Sequence, residues 1–169
     1  GAAPALALGA PDAPDARTHR AALHIGDALR ALREPAGYTS PSRYRTHLAH
    51  YAAALRACSR GEPWELTPGD FTDRRCPDFG AARIAAFLDE PACVPFHSRF
   101  AEVVGPVLRA FDPDTVGISV VFRSQLLPAA ALGGWVRRER PGAAVMLGGG
   151  FLDALPAETR ALLERRLGA

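Results

Sequence analysis

The stretch Thr115–Phe122, TVGISVVF, decides the fold class, because it is an almost unbroken run of apolar and β-branched residues. Such a run is typical of a strand that is buried on both faces of a parallel sheet. A second apolar run, Ala143–Leu147, AAVML, continues directly into the glycines Gly148–Gly150. The two runs predict two strands, and the glycines predict a turn at the end of the second strand.

Helical patterns precede, separate and follow these two strands. Apolar residues recur at helical spacing from Phe96 to Phe111, residues 125–139 form a second helical pattern, and a third begins at Pro156 and stops at Gly168. The order helix, strand, helix, strand, helix requires crossover connections, which are right-handed between parallel strands. The sequence therefore predicts an α/β fold, a three-layer Rossmann-like (flavodoxin-like) parallel sheet with a helical N-terminal extension.

The part of the chain before these strands is predicted to be mostly helical. Residues 20–33 have leucines near helical spacing, and a second amphipathic helix begins at Ser40-Pro41. We expect residues 1–37 to be a lead-in that is partly disordered or helical, and residues 38–169 to form the Rossmann-like domain. The shorter predicted elements are strands over Ala5–Leu8 and Trp64–Leu66, a loop over 67–80 and a helix over 80–89.

Composition limits the classes of partner and compartment. The chain has 169 residues, which suits one domain, and its 20 basic and 18 acidic residues give a net charge of only +2. A balance this even predicts neither nucleic acid nor an anionic membrane as partner. No apolar run approaches the roughly 18 residues of a membrane span, so we expect a cytoplasmic protein. The three cysteines are an odd number at wide spacing, which argues against a zinc site or a disulfide framework.

The carboxyl ends of the two strands are the candidate binding site, because ligands of open parallel sheets bind there. The first strand ends near Ser119, followed by the polar pair Ser124 and Gln125, and the second ends in Gly148–Gly150. Glycines let a ligand approach the backbone, and a hydroxyl can fix it through a hydrogen bond. Two simpler interpretations stay open: a serine bonded to nearby backbone, and a glycine run that only forms a turn.

The spacing of these residues resembles a known signature. Ser119-Val120-Val121, twenty-six residues and then Gly148-Gly149 are similar to the S-x-L…G-G half of the cobalamin-binding signature, with Val121 in place of leucine. The wider stretch 112–151, DPDTVGISVVFRSQLLPAAALGGWVRRERPGAAVMLGGGF, resembles the N-terminal cobalamin (B12)-binding domain of cobalamin-dependent radical SAM enzymes, as does CVPFHSRF at 93–100. The resemblance covers about residues 93–155.

The resemblance implies how the cofactor would be held. Cobalamin would bind base-off, with its nucleotide tail inserted beside the sheet, Ser119 near the benzimidazole and the loop 122–125 closing over the tail. The D-x-H-x-x-G half of the signature is missing, because Thr72, Arg74 and Pro77 stand at its positions, so cobalt would have no histidine lower ligand. The cofactor-binding residues implied in this way are Ser119, Val121, Ser124, Gln125, Gly148, Gly149 and Gly150.

The chain departs from a complete radical SAM enzyme in its cysteines. Such enzymes hold an iron–sulfur cluster on three closely spaced cysteines, C-x-x-x-C-x-x-C. Cys58, Cys76 and Cys93 lie far apart, so the cluster and S-adenosylmethionine would belong to a partner chain or a missing domain. The chain also ends on a helix without later strands, which favours a domain truncated at its C-terminus. We therefore expect a cobalamin-binding module that is not catalytic alone.

Three functions compete at this point. The first is a module of, or partner to, a methyltransferase-type radical SAM enzyme of natural-product or peptide maturation. The second is a degenerate α/β domain that acts as a protein-interaction scaffold. The third is a nucleotide- or sugar-binding half-domain, which the absence of G-x-G-x-x-G and P-loop patterns disfavours. His47 and His50, one helical turn apart, are expected on a solvated helix face rather than at a metal, because no third ligand has matching spacing.

Overall fold

A computed structural model of the protein describes residues 16–90 and 95–167. The chain divides into two compact units, Gly1–Phe71 and Thr72–Ala169. The boundary between these units falls after Phe71. The strand predicted over Ala5–Leu8 lies outside the described residues. No helix in the described ranges has the length and apolar character needed to cross a membrane.

The first unit is built on a helical hairpin. Helices α1 (Ala16–Arg33) and α2 (Pro41–Cys58) pack side by side, and small buried residues at their interface let the backbones approach closely. Ser40 caps α2, because its hydroxyl accepts a hydrogen bond from the backbone N–H of Arg43 at 3.5 Å. Both helices confirm the sequence prediction. The small buried residues are Ala21, Ala28 and Ala54.

Two short strands follow the hairpin. β1 (Trp64–Leu66) confirms a prediction, whereas β2 (Phe71–Asp73), its partner, lies in the stretch predicted to be a loop, so that prediction is wrong there. A tight turn precedes β2, in which the N–H of Thr67 donates to the carbonyl of Asp70 at 2.9 Å. β2 lies in a stretch rich in turn-forming residues, such as Pro68, Gly69 and Pro77, which is why the sequence indicated a loop there.

Three histidines lie together in the hairpin. The ring of His24 on α1 stacks on the ring of His50 on α2, with centroids 5.0 Å apart and planes 17° from parallel. The buried Nδ1 atoms of His47 and His50 have no hydrogen-bond partner among the described residues. Burial, and then the neighbouring His24, His47 and Arg20, lowers the pKa of His50 below its usual 6.5. The folded hairpin therefore favours the neutral form of His50.

This lowered pKa predicts that the first unit loses stability in mild acid. The unfolded chain takes up a proton at His50 more readily than the folded chain, so stability falls as the pH drops below about 6.5. Urea unfolding followed by Trp64 fluorescence in a Trp135→Phe background, compared at pH 7.5 and pH 5, measures the loss. We expect His50→Gln to reduce the pH dependence and His19→Gln, at an exposed position of α1, to leave it unchanged.

The second unit contains a parallel strand pair. β3 (Thr115–Ser119) and β4 (Ala144–Gly148) pair in parallel, in a register that runs from Thr115 opposite Ala144 to Ser119 opposite Gly148. These strands and the helix that connects them confirm the mixed helix and strand prediction. The helices of this unit are α3 (Ala81–Asp89), α4 (His97–Arg99), α5 (Gly105–Phe111), α6 (Leu126–Glu139) and α7 (Ala157–Leu167), with a π-helical segment over Phe100–Val104 between α4 and α5.

Helices α6 and α7 cover one face of the strand pair. At Gly133 the α6 backbone lies so close to the sheet that a Cβ there would be 3.2 Å from Val145 Cγ1 and 3.3 Å from Leu167 Cδ1. The side chains between these elements form part of the core. Its almost completely buried members include Val120, Leu126, Val136, Val145 and Leu167.

The other face of the strand pair is exposed, which corrects the prediction of a strand buried on both faces. Exposed and more buried positions alternate along β3 and β4, because α6 and α7 both pack on the same side. Within the described ranges no helix covers the opposite side, so a third layer is not part of this structure. The exposed strand residues, which form the open face, are Thr115, Gly117, Ser119, Ala144, Met146 and Gly148.

The close approach at Gly133 predicts that substitutions at Gly133 and at Gly134 have opposite effects on the free energy of unfolding. Gly133→Leu should lower the free energy of unfolding by about 1–3 kcal/mol, because the larger side chain is forced against Val145 and Leu167. Gly134→Ala should raise it by about 0.5–1 kcal/mol, because alanine favours the helix and its Cβ meets only the Arg138 guanidinium at 3.7 Å. Urea unfolding followed by Trp135 fluorescence in a Trp64→Phe background measures both free energies. Equal changes in Gly133→Leu and Gly134→Ala would contradict the described packing.

Candidate ligand site at the strand ends

The parallel register brings the two halves of the spacing pattern together. Ser119, the last residue of β3, stands directly opposite Gly148, the last residue of β4, and both are exposed. The next residue, Val120, donates its N–H to the carbonyl of Gly148 at 2.6 Å. Ser119 and Gly148, twenty-nine positions apart in the chain, are therefore neighbours at one edge of the sheet.

The three glycines have different environments. Gly149 has a φ of +117°, and a Cβ there would lie 2.4 Å from the carbonyl oxygen of Val120, so this position requires glycine. By contrast, a Cβ on Gly148 or Gly150 would meet no atom within 4 Å. Gly149 thus allows the chain after β4 to cross the end of β3, while Gly148 and Gly150 border open space.

The loop after β3 is held by one of its own side chains. Gln125 Oε1 accepts hydrogen bonds from the backbone N–H groups of Val121 at 2.8 Å and Phe122 at 3.0 Å. This arrangement stops β3 and turns the chain into α6. The side chains of Val121 and Phe122 are exposed, and Ser124 is half-buried. Gln125 therefore has a defined structural role at this site, and Val121 contributes an exposed apolar surface.

A third segment, residues 77–80, lies against both strand-end loops and was not among the predicted site residues. Arg123 donates a hydrogen bond to the carbonyl of Pro77, and its guanidinium carbon lies 4.9 Å over the centroid of the Phe79 ring. The Phe79 ring also meets Phe151 edge-on, with centroids 5.8 Å apart. Buried Thr159 donates its hydroxyl to the carbonyl of Phe79 at 2.8 Å. Phe79 therefore links the loop after β3 to the turn after β4.

Phe79 has an unusual backbone conformation for its residue type. Its φ is +53°, in the left-handed region that a bulky residue avoids. Such a residue persists only where the surrounding contacts hold it, and such positions are frequent at functional sites. The sequence contained one signal for this segment, because Pro77 stands at the last position of the missing D-x-H-x-x-G pattern. No sequence pattern indicates a phenylalanine with positive φ.

Cys58 and Cys76, the cysteines within the described ranges, show no sign of catalytic activation. Burial is the main cause that raises the pKa of the Cys76 thiol to about 11, and its Sγ donates to the carbonyl of Arg83 at 3.5 Å. Burial also raises the pKa of Cys58. Both thiols therefore stay protonated near neutral pH, which makes them poor nucleophiles. Over residues 16–90 and 95–167, no group of three histidine, cysteine or acidic side chains is arranged to hold a metal ion.

No protein-family model matches this chain, and neither a curated protein nor a solved structure is significantly similar to it. The resemblance to cobalamin-binding domains therefore rests on the residues themselves, above all on Ser119, Gly148 and Gly149.

The contrast between the glycines predicts different tolerances to alanine. Gly149→Ala should lower the free energy of unfolding by about 3 kcal/mol or more, because it combines backbone strain with a clash against Val120. Gly150→Ala should change it by no more than about 0.5 kcal/mol, because its Cβ enters open space. Urea unfolding followed by Trp135 fluorescence measures both variants. A Gly149→Ala protein as stable as Gly150→Ala would contradict the described turn.

Proposed function

We propose that the second unit binds cobalamin, base-off, at the carboxyl ends of β3 and β4. In this proposal the chain is the cobalamin-binding module of, or a partner to, a radical SAM enzyme of the methyltransferase type. The observation that carries the proposal is the pairing of Ser119 with Gly148, beside a turn at Gly149 that brings the chain over Val120. Parallel sheets bind ligands at this edge.

The open face has a surface that fits the tail of this cofactor. A long ligand segment that lies along a sheet needs backbone without side chains, next to a hydrogen-bonding group that orients it. Gly117 and Gly148 lie on the open face, and a Cβ on either would meet nothing within 4 Å. Ser119 lies on the same face, two residues after Gly117 on β3 and directly opposite Gly148 on β4. The residues present therefore fit a nucleotide tail.

Each predicted site residue has a role in this proposal. Ser119 orients the base through its hydroxyl, Gly148–Gly150 expose backbone to the tail, and the loop with Val121, Ser124 and Gln125 borders it. Segment 72–77 offers cobalt no imidazole, because the residues at the signature positions are Thr72, Arg74 and Pro77. Bound cobalamin would supply the alkyl-carrying chemistry of its cobalt.

The remaining parts of the proposal concern the larger assembly. The iron–sulfur cluster and S-adenosylmethionine come from a partner chain or a further domain. The free thiols of Cys58 and Cys76 suit a reducing compartment, and we propose the cytoplasm. We also propose that β3 and β4 belong to a three-layer Rossmann-like sheet, because parallel strands are normally covered on both faces and the open face is not.

A binding experiment on the full chain tests the cofactor. The protein is titrated with hydroxocobalamin, desalted and examined by its visible spectrum. We expect wild type to retain one corrin per chain, and Ser119→Trp and Gly148→Trp to lose it, because both indoles would enter the space of the tail. Gly142→Trp is the matched control: it lies before β4, at the opposite end of that strand, and its Cβ also meets nothing within 4 Å.

Two results would contradict the proposal. The first is a folded wild-type protein that retains no corrin after desalting. The second is equal retention by Gly148→Trp and Gly142→Trp, which would move the corrin away from the strand ends. Retention of a nucleotide instead of a corrin would favour the nucleotide- or sugar-binding half-domain.

A protein-interaction scaffold is a second candidate, and exposed apolar side chains favour it. Val121 is 54% exposed, Phe122 is 64% exposed and Met146 is 56% exposed. Neighbouring exposed apolar side chains, such as those of Val121 and Phe122, are typical of contacts with other proteins. Under this alternative the chain would retain no corrin, and Val121→Ser and Phe122→Ser would abolish its association with a partner protein.

A further inference from the structure

Arg123 has a position that the proposed roles leave unexplained. It begins the helical turn after β3, and its guanidinium lies over the face of Phe79 while Nη2 donates to the carbonyl of Pro77. Phe79 in turn contacts Phe151, which directly follows Gly150. The cation therefore stands beside the loops that follow both strands, at the edge of the proposed site.

The charge of Arg123 is not neutralised by the groups that hold it. A carbonyl oxygen and an aromatic ring orient a guanidinium but carry no net charge. The acidic side chains nearest along the chain to Pro77 and Phe79 have other partners: Asp78 Oδ1 lies 3.7 Å from Arg83 Nε, and buried Asp73 lies 2.6 Å from Arg75 Nη2. Among the described residues, no carboxylate forms an ion pair with Arg123, whose side chain is exposed.

The chemistry of a guanidinium points to the group that it recognises. Its planar fork of five N–H donors matches the oxygens of a phosphate, which it can bind through two parallel hydrogen bonds. The stacking on Phe79 and the bond to Pro77 hold the fork in one orientation, so less side-chain entropy is lost when a ligand binds. An oriented and uncompensated cation at a strand end suits an anionic ligand group.

We infer that Arg123 recognises the phosphodiester in the nucleotide tail of the corrinoid. This inference rests on the proposed function and names the residue that makes the site selective for a complete corrinoid over one without its nucleotide. Phe79 then acts as a positioning residue, because its ring orients the guanidinium. The left-handed backbone of Phe79, held by Thr159, keeps the ring between the two loops.

The test compares two corrinoids that differ in this group. Cobinamide has the corrin ring but lacks the nucleotide and its phosphodiester, whereas hydroxocobalamin contains both. Dissociation constants are measured for the full chain and for Arg123→Gln. We expect Arg123→Gln to weaken hydroxocobalamin binding about tenfold, through loss of charge-assisted hydrogen bonds, and to leave cobinamide binding unchanged. Unchanged cobinamide binding also demonstrates that the variant is folded.

Arg137→Gln is the matched control for general charge. Arg137 is an exposed arginine of the same unit, but it lies in the last turn of α6, which leads back to the start of β4. We expect this variant to bind both corrinoids as wild type does. An equal loss of hydroxocobalamin binding in Arg137→Gln would mean that the net positive charge, and not Arg123, attracts the phosphodiester, which overturns the inference.

The remaining outcomes separate the inference from the proposed function. If Arg123→Gln weakens both corrinoids by the same factor, Arg123 only supports the loop, and the inference fails while the site stands. If neither dissociation constant changes, the inference fails in the same way. If wild type binds neither corrinoid, the proposed function fails and the inference with it.

Discussion

The approach of the Gly149 backbone to Val120 is the constraint on which the rest of the second unit depends. Val120 is completely buried, its N–H donates to Gly148, and its carbonyl accepts from Phe151 at 3.3 Å. These contacts end both strands at the same level and turn the chain away from the sheet. A side chain at Gly149 would separate them, and Ser119 and Gly148 would no longer share an edge.

Segment 77–80 connects the loops at this edge of the sheet. Phe79 adopts a backbone conformation that costs energy, and contacts from three separate parts of the unit compensate it: Thr159 on its carbonyl, Arg123 on its ring face and Phe151 beside the ring. Because these contacts also hold Arg123, the strained backbone of Phe79 is coupled to the position of the Arg123 guanidinium. Segment 77–80 and Arg123 are therefore part of one contact network with the two strand ends.

Much of the secondary structure could be predicted from local patterns. The helices α2, α3 and α6 and the strands β3 and β4 have recognisable apolar patterns, and Pro41 also marks the start of α2. β2 could not be recognised in this way, because it lies among turn-forming residues such as Pro68, Gly69 and Pro77. The burial of β3 on both faces was also predicted wrongly, because local hydrophobicity does not reveal on which side the neighbouring helices pack.

The sequence by itself determined the spacing of Ser119 and Gly148, the absence of a histidine in segment 72–77 and the wide separation of the cysteines. Only the tertiary structure decided the register that pairs Ser119 with Gly148, the open face beside them and the position of Phe79. The physical reason is distance along the chain. The hydrogen bond of Arg123 to Pro77 spans 46 residues and that of Thr159 to Phe79 spans 80, and contacts this distant form only when packing brings their elements together.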